Sequence, residues 1–230
     1  MGEVMDGVLS GSRFLGRQEI VERAERLASG LKAAGVGAGD AVALLVRNDP
    51  VHIEASLAAA RVGAYPVPIN WHWRGEEVGY LLRDCEAKFL IAHADLLTDV
   101  AEAIPETVTV LSVPTPPELK DAFGISERRA LPRAQDLDYR QWVSAHEPIG
   151  EALADATALS MIYTSGTTGR PKGVQRLVAG AGQVTEMQKM LLTAFGLGSG
   201  VRSVIPAPMY HSAPNAYALV AFGLGGFMVL

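Results

Sequence analysis

The stretch "AVALLVRNDPVHIEASLAAARVGAYPVPIN", residues 41–70, contains a complete β–α–β pattern. Residues 41–46 form a continuous apolar run of strand length, which predicts a strand buried on both faces. Asp49 is placed to cap the helix that follows, and Pro50 suits the first helical position. We expect this helix to run to about Gly63 and the next strand to cover residues 65–70.

The same alternation extends on both sides of this unit. Upstream, apolar residues recur at helical spacing from Gln18 to Ala34, so an amphipathic helix is expected to open the fold. Downstream, the pattern predicts a helix over 75–86, a strand over 88–93, a helix to about 104 and a strand over 108–113. The predicted fold class is therefore α/β, with a mostly parallel sheet and helices on both faces.

The chain divides into three predicted regions. Residues 1–113 are expected to form a first α/β subdomain. Residues 114–150 are polar and proline-bearing without a sustained period, which predicts a linker or surface excursion with a short helix near Trp142. Residues 151–230 are expected to begin a second α/β subdomain, with strands at 158–163, 203–208 and 227–230 and helices at 174–195 and near 217–224.

Composition excludes several classes of function. The formal charge of −5, from 20 basic and 25 acidic residues, leaves no excess positive charge for a nucleic-acid backbone. Cys85 is the only cysteine, which rules out an internal disulfide and favours a cytoplasmic protein in which Cys85 is a small core residue. The sequence shows no secretory signal and no apolar run long enough for a transmembrane segment.

The segment "YTSGTTGRPKG", residues 163–173, follows a predicted strand and combines glycines, hydroxyl side chains and one lysine. Gly166 and Gly169 allow the backbone to approach a ligand closely, and Lys172 supplies a positive charge. Backbone N–H groups and the hydroxyls of Thr164, Ser165, Thr167 and Thr168 add donors, so the loop matches a polyphosphate better than an exposed polar turn. It fits neither the Walker A pattern nor G-x-G-x-x-G.

The same string resembles the signature loop of the adenylate-forming superfamily, which includes acyl-CoA synthetases, luciferases and the adenylation domains of peptide synthetases. Residues 27–70 and 77–92 are also similar to the N-terminal region of that family, and "PMYHSAP", residues 208–214, is similar to its next core motif. The resemblance implies a two-step reaction, in which a carboxylate and ATP form acyl-AMP and pyrophosphate, and a thiol then displaces AMP.

The resemblance also implies a set of ligands and site residues. The ligands are ATP, Mg²⁺, a carboxylic acid and coenzyme A as co-substrate. The nucleotide-binding residues would be Thr164, Ser165, Gly166, Thr167, Thr168, Gly169 and Lys172. Lys172 and His211 would be catalytic, with Tyr210 beside His211, although a buried structural histidine is the alternative for His211. No residue is assigned as a metal ligand, and "WHW", residues 71–73, is interpreted as aromatic packing.

Later motifs of the family and its mobile C-terminal domain have no counterpart in these residues. We therefore expect an incomplete N-terminal domain of an adenylate-forming enzyme, inactive alone. It is expected to self-associate through the uncovered apolar surface and unpaired strand edge of residues 216–230. The favoured parent is an acyl-CoA synthetase for a fatty or other hydrophobic acid. Alternatives are a fatty acyl-AMP ligase, an amino-acid adenylation domain, or a noncatalytic nucleotide-binding or oligomerising module, and the acceptor is either CoA or a carrier protein.

Overall fold

A computed structural model describes residues 6–150, 160–164, 172–174, 189 and 192–230. Within these residues the chain forms two sheets and a separate two-stranded hairpin. The α/β class with a mostly parallel sheet is confirmed. None of the described helices is both long and apolar enough to cross a membrane.

The larger sheet is entirely parallel, with the strand order β4-β3-β5-β6-β7. Its strands are β3 (Ala41–Leu45), β4 (Tyr65–Pro68), β5 (Ala87–His93), β6 (Thr109–Val113) and β7 (Leu137–Asp138). Helices α1 (Arg17–Ala33), α2 (Pro50–Arg61), α3 (Gly75–Asp84), α4 (Ala94–Val100) and α7 (Tyr139–Ser144) surround it. A 3-10 turn, Ala101–Ala103, follows α4.

Burial on both faces explains the unbroken apolar runs of these strands. On one face Val42 and Leu44 pack with Leu27 of α1 and with residues of α2 and α7. On the other face Ala43 and Leu45 pack with residues of α3 and α4. The Asp49 side chain accepts a 2.8 Å hydrogen bond from the N–H of Val51, so it caps α2 as predicted.

Residues 114–150, predicted as a linker or excursion, add two short helices, α5 (Pro117–Phe123) and α6 (Glu127–Ala130), before β7 and α7. Part of this segment lies in the core. The Tyr139 side chain is fully buried and donates a 2.6 Å hydrogen bond to the buried Glu54 carboxylate, which also pairs with Arg23. The division of the chain into subdomains stays a prediction.

The second sheet has the order β10-β11-β1-β2. It consists of β1 (Gly7–Ser10), β2 (Arg13–Gly16), β10 (Val201–Val204) and β11 (Gly226–Val229). The prediction that a helix opens the fold was wrong, because the β1–β2 hairpin precedes α1. Strand β11 pairs with β10 and with β1, so the expected unpaired edge at the end of the chain is also wrong. Helix α8 (Ser212–Gly223) contributes Ala218 and Phe222 to the core under this sheet.

The remaining hairpin consists of β8 (Ile162–Thr164) and β9 (Lys172–Val174), which are antiparallel. The helix predicted from residue 174 does not begin there, because Val174 lies in β9, whereas residues 192–195 are helical. The strand predicted at 203–208 begins and ends earlier, as β10. Residues 151–159, which include the start of the predicted strand at 158–163, lie outside the described residues.

Candidate functional site

The structure places the two ends of the glycine-rich segment next to each other. Thr164 and Lys172 are Cα partners in the β8–β9 pair, so residues 165–171 connect two adjacent antiparallel strands. The segment thus connects strand to strand, where the sequence predicted a loop leading to a helix. Ser165, Gly166, Thr167, Thr168 and Gly169 lie outside the described residues, as do the side chains of Thr164 and Lys172.

The hairpin is attached to the first sheet by its first strand. The Met161 N–H donates a 3.1 Å hydrogen bond to the carbonyl of Pro66, which places the start of the hairpin beside β4. The Tyr163 hydroxyl donates a 2.6 Å hydrogen bond to Asp84 Oδ2 at the end of α3. Burial and this hydrogen bond raise the pKa of Tyr163 above its ordinary value.

Gly173 leaves the space that the Tyr163 ring fills. A Cβ atom at Gly173 would lie 2.9 Å from Cζ of Tyr163, closer than side-chain carbons approach one another. The two residues are Cα partners in the hairpin. The hairpin therefore needs a residue without a side chain opposite Tyr163.

The segment 208–214 leads from β10 into α8. Met209 is almost completely buried, in the core cluster that also contains Ile53 of α2. Tyr210 is half-buried, and His211 is exposed immediately before α8. The exposure of His211 in the described structure differs from the buried structural histidine that was its alternative role.

Aromatic side chains connect this segment to the first sheet. The Tyr210 ring meets the Trp71 ring edge-on, with centroids 6.2 Å apart, and lies 4.3 Å from the His211 ring. Trp71 also contacts His72 and Phe123. Residues 71–73 therefore contribute aromatic packing, as predicted, and Trp71 brings that packing to the Tyr210–His211 segment.

The flanks of the two predicted motifs are in contact. The Asn215 side chain, in the first turn of α8, donates a 3.1 Å hydrogen bond from Nδ2 to the Ser160 hydroxyl. Ser160 lies four residues before Thr164, and Asn215 lies four residues after His211. The tertiary structure thus brings the beginning of the helix after His211 to the strand that leads into the glycine-rich segment.

A cavity of about 350 Å³ opens beyond the carboxyl ends of β3, β4 and β5. Two of its arginines form ion pairs with its acidic residues: Arg47 binds both carboxylate oxygens of Asp95, at 3.0 and 2.8 Å, and Arg129 binds Asp99 at 2.7 Å. Within the described residues the Arg74 guanidinium makes no ion pair. The lining residues are Arg47, Trp71, His72, Arg74, Asp95, Leu96, Asp99, Phe123, Gly124, Ile125, Ser126 and Arg129.

Sequence reasoning did not identify this cavity. Arg47 directly follows a buried parallel strand, a position where ligands commonly bind in open α/β sheets, and that signal was available. Phe123 and Arg129 come from the aperiodic segment 114–150 and carried no signal of their own. Cys85, at the end of α3, is half-buried against the core on this face of the sheet, and burial raises its pKa to about 12.

Comparison with known proteins gives a consistent result. Residues 7–230 match the family model described as AMP-binding enzyme. The chain is 32% identical to feruloyl-CoA synthase of an Amycolatopsis species over 209 residues, which cover 90% of this chain and 36% of that protein. It is 31% identical to the fatty acid–[acyl-carrier-protein] ligase ScoC of Streptomyces coeruleorubidus over 170 residues, which cover 73% of this chain and 29% of that protein.

The fold also matches solved structures. The crystal structure of the anthranilate CoA ligase AuaEII with anthranoyl-AMP superposes with a TM-score of 0.79 at 22% identity, covering 98% of this chain and 41% of that chain. The chain thus spans well under half of the length of each of these three proteins.

Proposed function

Because the chain belongs to the AMP-binding enzyme family, we propose that it supplies the phosphate-binding part of an ATP-dependent acid–thiol ligase. This enzyme activates a carboxylic acid as acyl-AMP and then transfers the acyl group to a thiol. The observation that carries the proposal is the segment "YTSGTTGRPKG", whose two ends are paired in the β8–β9 hairpin. That pairing places Thr164 opposite Lys172, which supports one shared ligand for the segment that these two residues flank.

Seven residues of the segment have a proposed role in the first step. Thr164, Ser165, Gly166, Thr167, Thr168 and Gly169 bind the β- and γ-phosphates through backbone N–H groups and hydroxyls. Lys172 supplies a positive charge to the departing pyrophosphate, where charge stabilisation matters most. His211, with Tyr210 packed beside it, borders the acyl and phosphate sites. The exposure of His211 and the Ser160–Asn215 hydrogen bond support this arrangement.

We propose that Mg²⁺ arrives with the nucleotide. The described residues contain no group of three or more His, Cys, Asp or Glu side chains that could hold a metal ion. Mg²⁺ is commonly held by one or two carboxylates together with substrate phosphates. In this role it would neutralise charge on the pyrophosphate, while the residues of this chain orient the phosphates.

The proposed thiol acceptor is coenzyme A. The cavity beyond the carboxyl ends of β3, β4 and β5 supports this choice. Cavities of 300–1,000 Å³ are typical of sites for small molecules and cofactors, and this one falls at the lower limit. Trp71 and Phe123, whose rings also pack against the Arg47 guanidinium, line this cavity, and Arg74, which makes no ion pair within the described residues, offers a cation to a phosphate. A carrier protein is the alternative acceptor, because the relative ScoC is by name a ligase acting on an acyl carrier protein.

The proposed acid is a fatty acid or another hydrophobic carboxylic acid. The names of the three matched proteins described above refer to feruloyl, fatty acyl and anthranoyl groups, all of which carry a substantial apolar portion. An amino-acid adenylation domain or a noncatalytic nucleotide-binding module are the remaining alternatives.

Carboxylate-dependent exchange of labelled pyrophosphate into ATP tests the proposal. The full-length protein is expected to catalyse exchange with a hydrophobic acid, and the 230-residue chain alone is not, because positioning and charge stabilisation must act together. Nucleotide binding without exchange by the full-length protein would favour the noncatalytic module. Transfer of the acyl group to CoA, compared with transfer to a carrier protein, distinguishes the two acceptors.

Lys172→Ala in the full-length protein provides a residue-level test. Adenylation should slow by about 10²–10³-fold, the usual cost of losing one charge-stabilising donor. Binding of the carboxylic acid should change much less, because Lys172 is proposed to act on phosphate. An unchanged adenylation rate would remove Lys172 from this role.

A further inference from the structure

Asn48 makes three hydrogen bonds to the segment that connects β10 to α8. Its Nδ2 donates to the carbonyls of Ile205 and Ala207, each at 3.0 Å, and its Oδ1 accepts from the N–H of Met209 at 2.8 Å. We propose that Asn48 is a positioning residue that holds Tyr210 and His211 in place for the reaction. This inference rests on the proposed function of the Tyr210–His211 segment.

Asn48 is itself held firmly at the carboxyl end of β3. The preceding residue, Arg47, forms a two-bond ion pair with the buried Asp95. The following residue, Asp49, is also buried, where it caps α2 and pairs with Arg13 at 2.5 Å. Because Arg47 is fixed by α4, and Asp49 by α2 and by β2 of the second sheet, the Asn48 amide is a rigid point for another segment to bind.

The segment that Asn48 holds needs partners from outside. Pro206 and Pro208 have no N–H group, so residues 206–208 have few donors with which to form a regular turn. The Ile205 N–H donates a hydrogen bond to the carbonyl of Val229 in β11. Beyond Ile205, hydrogen bonds with the Asn48 side chain hold the segment as far as Met209. Tyr210 and His211 are the next two residues.

Asparagine is the side chain that fits these three bonds. The site requires two donated hydrogen bonds and one accepted hydrogen bond from a short side chain, and the planar amide of Asn provides both kinds. Aspartate has nearly the same shape but, when ionised, only accepts, so it would face the carbonyls of Ile205 and Ala207 with negative charge. Alanine removes all three bonds.

Amide hydrogen exchange tests whether Asn48 holds the segment. In Asn48→Ala, exchange at the Met209 amide should accelerate by about tenfold or more, because a tenfold change corresponds to only about 1.4 kcal/mol and three hydrogen bonds are lost. Amides of β3 should keep their relative protection. Val143→Ala, in a core cluster away from this segment, is the stability-matched control and should accelerate exchange globally instead. Unchanged exchange at Met209 would overturn the proposal.

Kinetics of the full-length protein test whether Asn48 acts through Tyr210 and His211. Asn48→Ala should lower kcat for pyrophosphate exchange by roughly 10- to 100-fold, within the range of losses from small displacements of a site. In the His211→Ala background the same change should cost less, because one of the two residues being positioned is gone. Equal losses in both backgrounds would overturn the positioning role.

A second variant keeps the test decisive if Asn48→Ala does not fold. Asn48→Asp preserves the shape and the acceptor for Met209 but loses both donors, so a similar dependence on His211 is expected. A parental rate in Asn48→Asp would contradict the proposal. If the parent protein catalyses no pyrophosphate exchange, the proposed function is refuted. If the Asn48 variants keep the parental kcat and the parental rate of hydrogen exchange at the Met209 amide, only the role of Asn48 is refuted.

Discussion

The Tyr163 hydroxyl and the Asp84 carboxylate are joined by a 2.6 Å hydrogen bond between the first strand of the β8–β9 hairpin and the end of α3. Tyr163 is the first residue of the glycine-rich segment, and Asp84 is the last residue of α3, which packs on the first sheet. This bond therefore connects the proposed phosphate loop to a scaffold that the hydrophobic core stabilises.

Removing this bond should loosen the hairpin without unfolding the sheet. We expect Tyr163→Phe and Asp84→Ala to share a coupling energy of about 1 kcal/mol in a double-mutant cycle, the usual net value of one hydrogen bond. Urea unfolding of the two single variants and the double variant measures this coupling. Tyr80→Phe removes a longer bond of 3.3 Å to the same carboxylate and is the comparison. Strictly additive effects of Tyr163→Phe and Asp84→Ala would show that the bond contributes nothing.

Gly173→Ala should displace the Tyr163 ring, because the added carbon would lie 2.9 Å from it. Overpacking of this kind typically costs about 1–3 kcal/mol, measured here as a fall in the free energy of unfolding. Gly37→Ala is the matched control, since a carbon added at Gly37 would meet no atom within 4 Å. Replacing Tyr163 with Leu should relieve the effect of Gly173→Ala, and failure of that rescue would contradict the steric explanation.

Two buried histidines should make the fold sensitive to mild acid. His52 and His93 are almost completely inaccessible, and burial lowers the pKa of His52 to about 4 and also lowers the pKa of His93. Unfolded histidine titrates near pH 6.5, so the unfolded chain takes up protons first. The stabilising contribution is fully present above about pH 6.5 and is lost as the pH falls towards about 4.

Between pH 7 and 4.5 the free energy of unfolding should fall by about 2–3 kcal/mol because of His52, as converted from its lowered pKa. Urea unfolding across this range measures it. His52→Phe should reduce the pH dependence by this amount and leave the part that comes from His93. A parental pH slope in His52→Phe would show that His52 is not the source.

The isolated chain is expected to self-associate through one face of the second sheet. The register aligns Val204, Val229, Leu9 and Phe14 across its strands, and Val204 and Phe14 are 65% and 41% exposed. Apolar area of this kind favours association by about 25 cal/mol per Å² buried. Val204→Glu should weaken the association, as seen by light scattering in a dilution series. Leu131→Glu, at a site that is 58% exposed outside this sheet, should not, and a monodisperse parent at high concentration would contradict the prediction.

The central β–α–β unit could be predicted from the sequence because its signals are local. Residues 41–46 show the unbroken apolar run of a strand covered on both faces, and Asp49 with Pro50 marks the start of α2. The glycine-rich segment was equally recognisable, because the phosphate binding proposed for it depends on residue types and their spacing. These features need no partner that is distant along the chain.

Pairing between distant segments was decided only by the tertiary structure. Strand β1 is four residues long and pairs with β11 at the opposite end of the described chain, so no local period predicts it. Strand β9, with three residues, exists through its pairing with β8. Asn48 likewise lies 161 residues from Met209, and its polar side chain at a strand end does not specify which backbone groups it will bind. Local sequence encodes which faces of the helices and strands are buried. The identity of long-range hydrogen-bond partners depends on how the folded sheets and helices pack against each other.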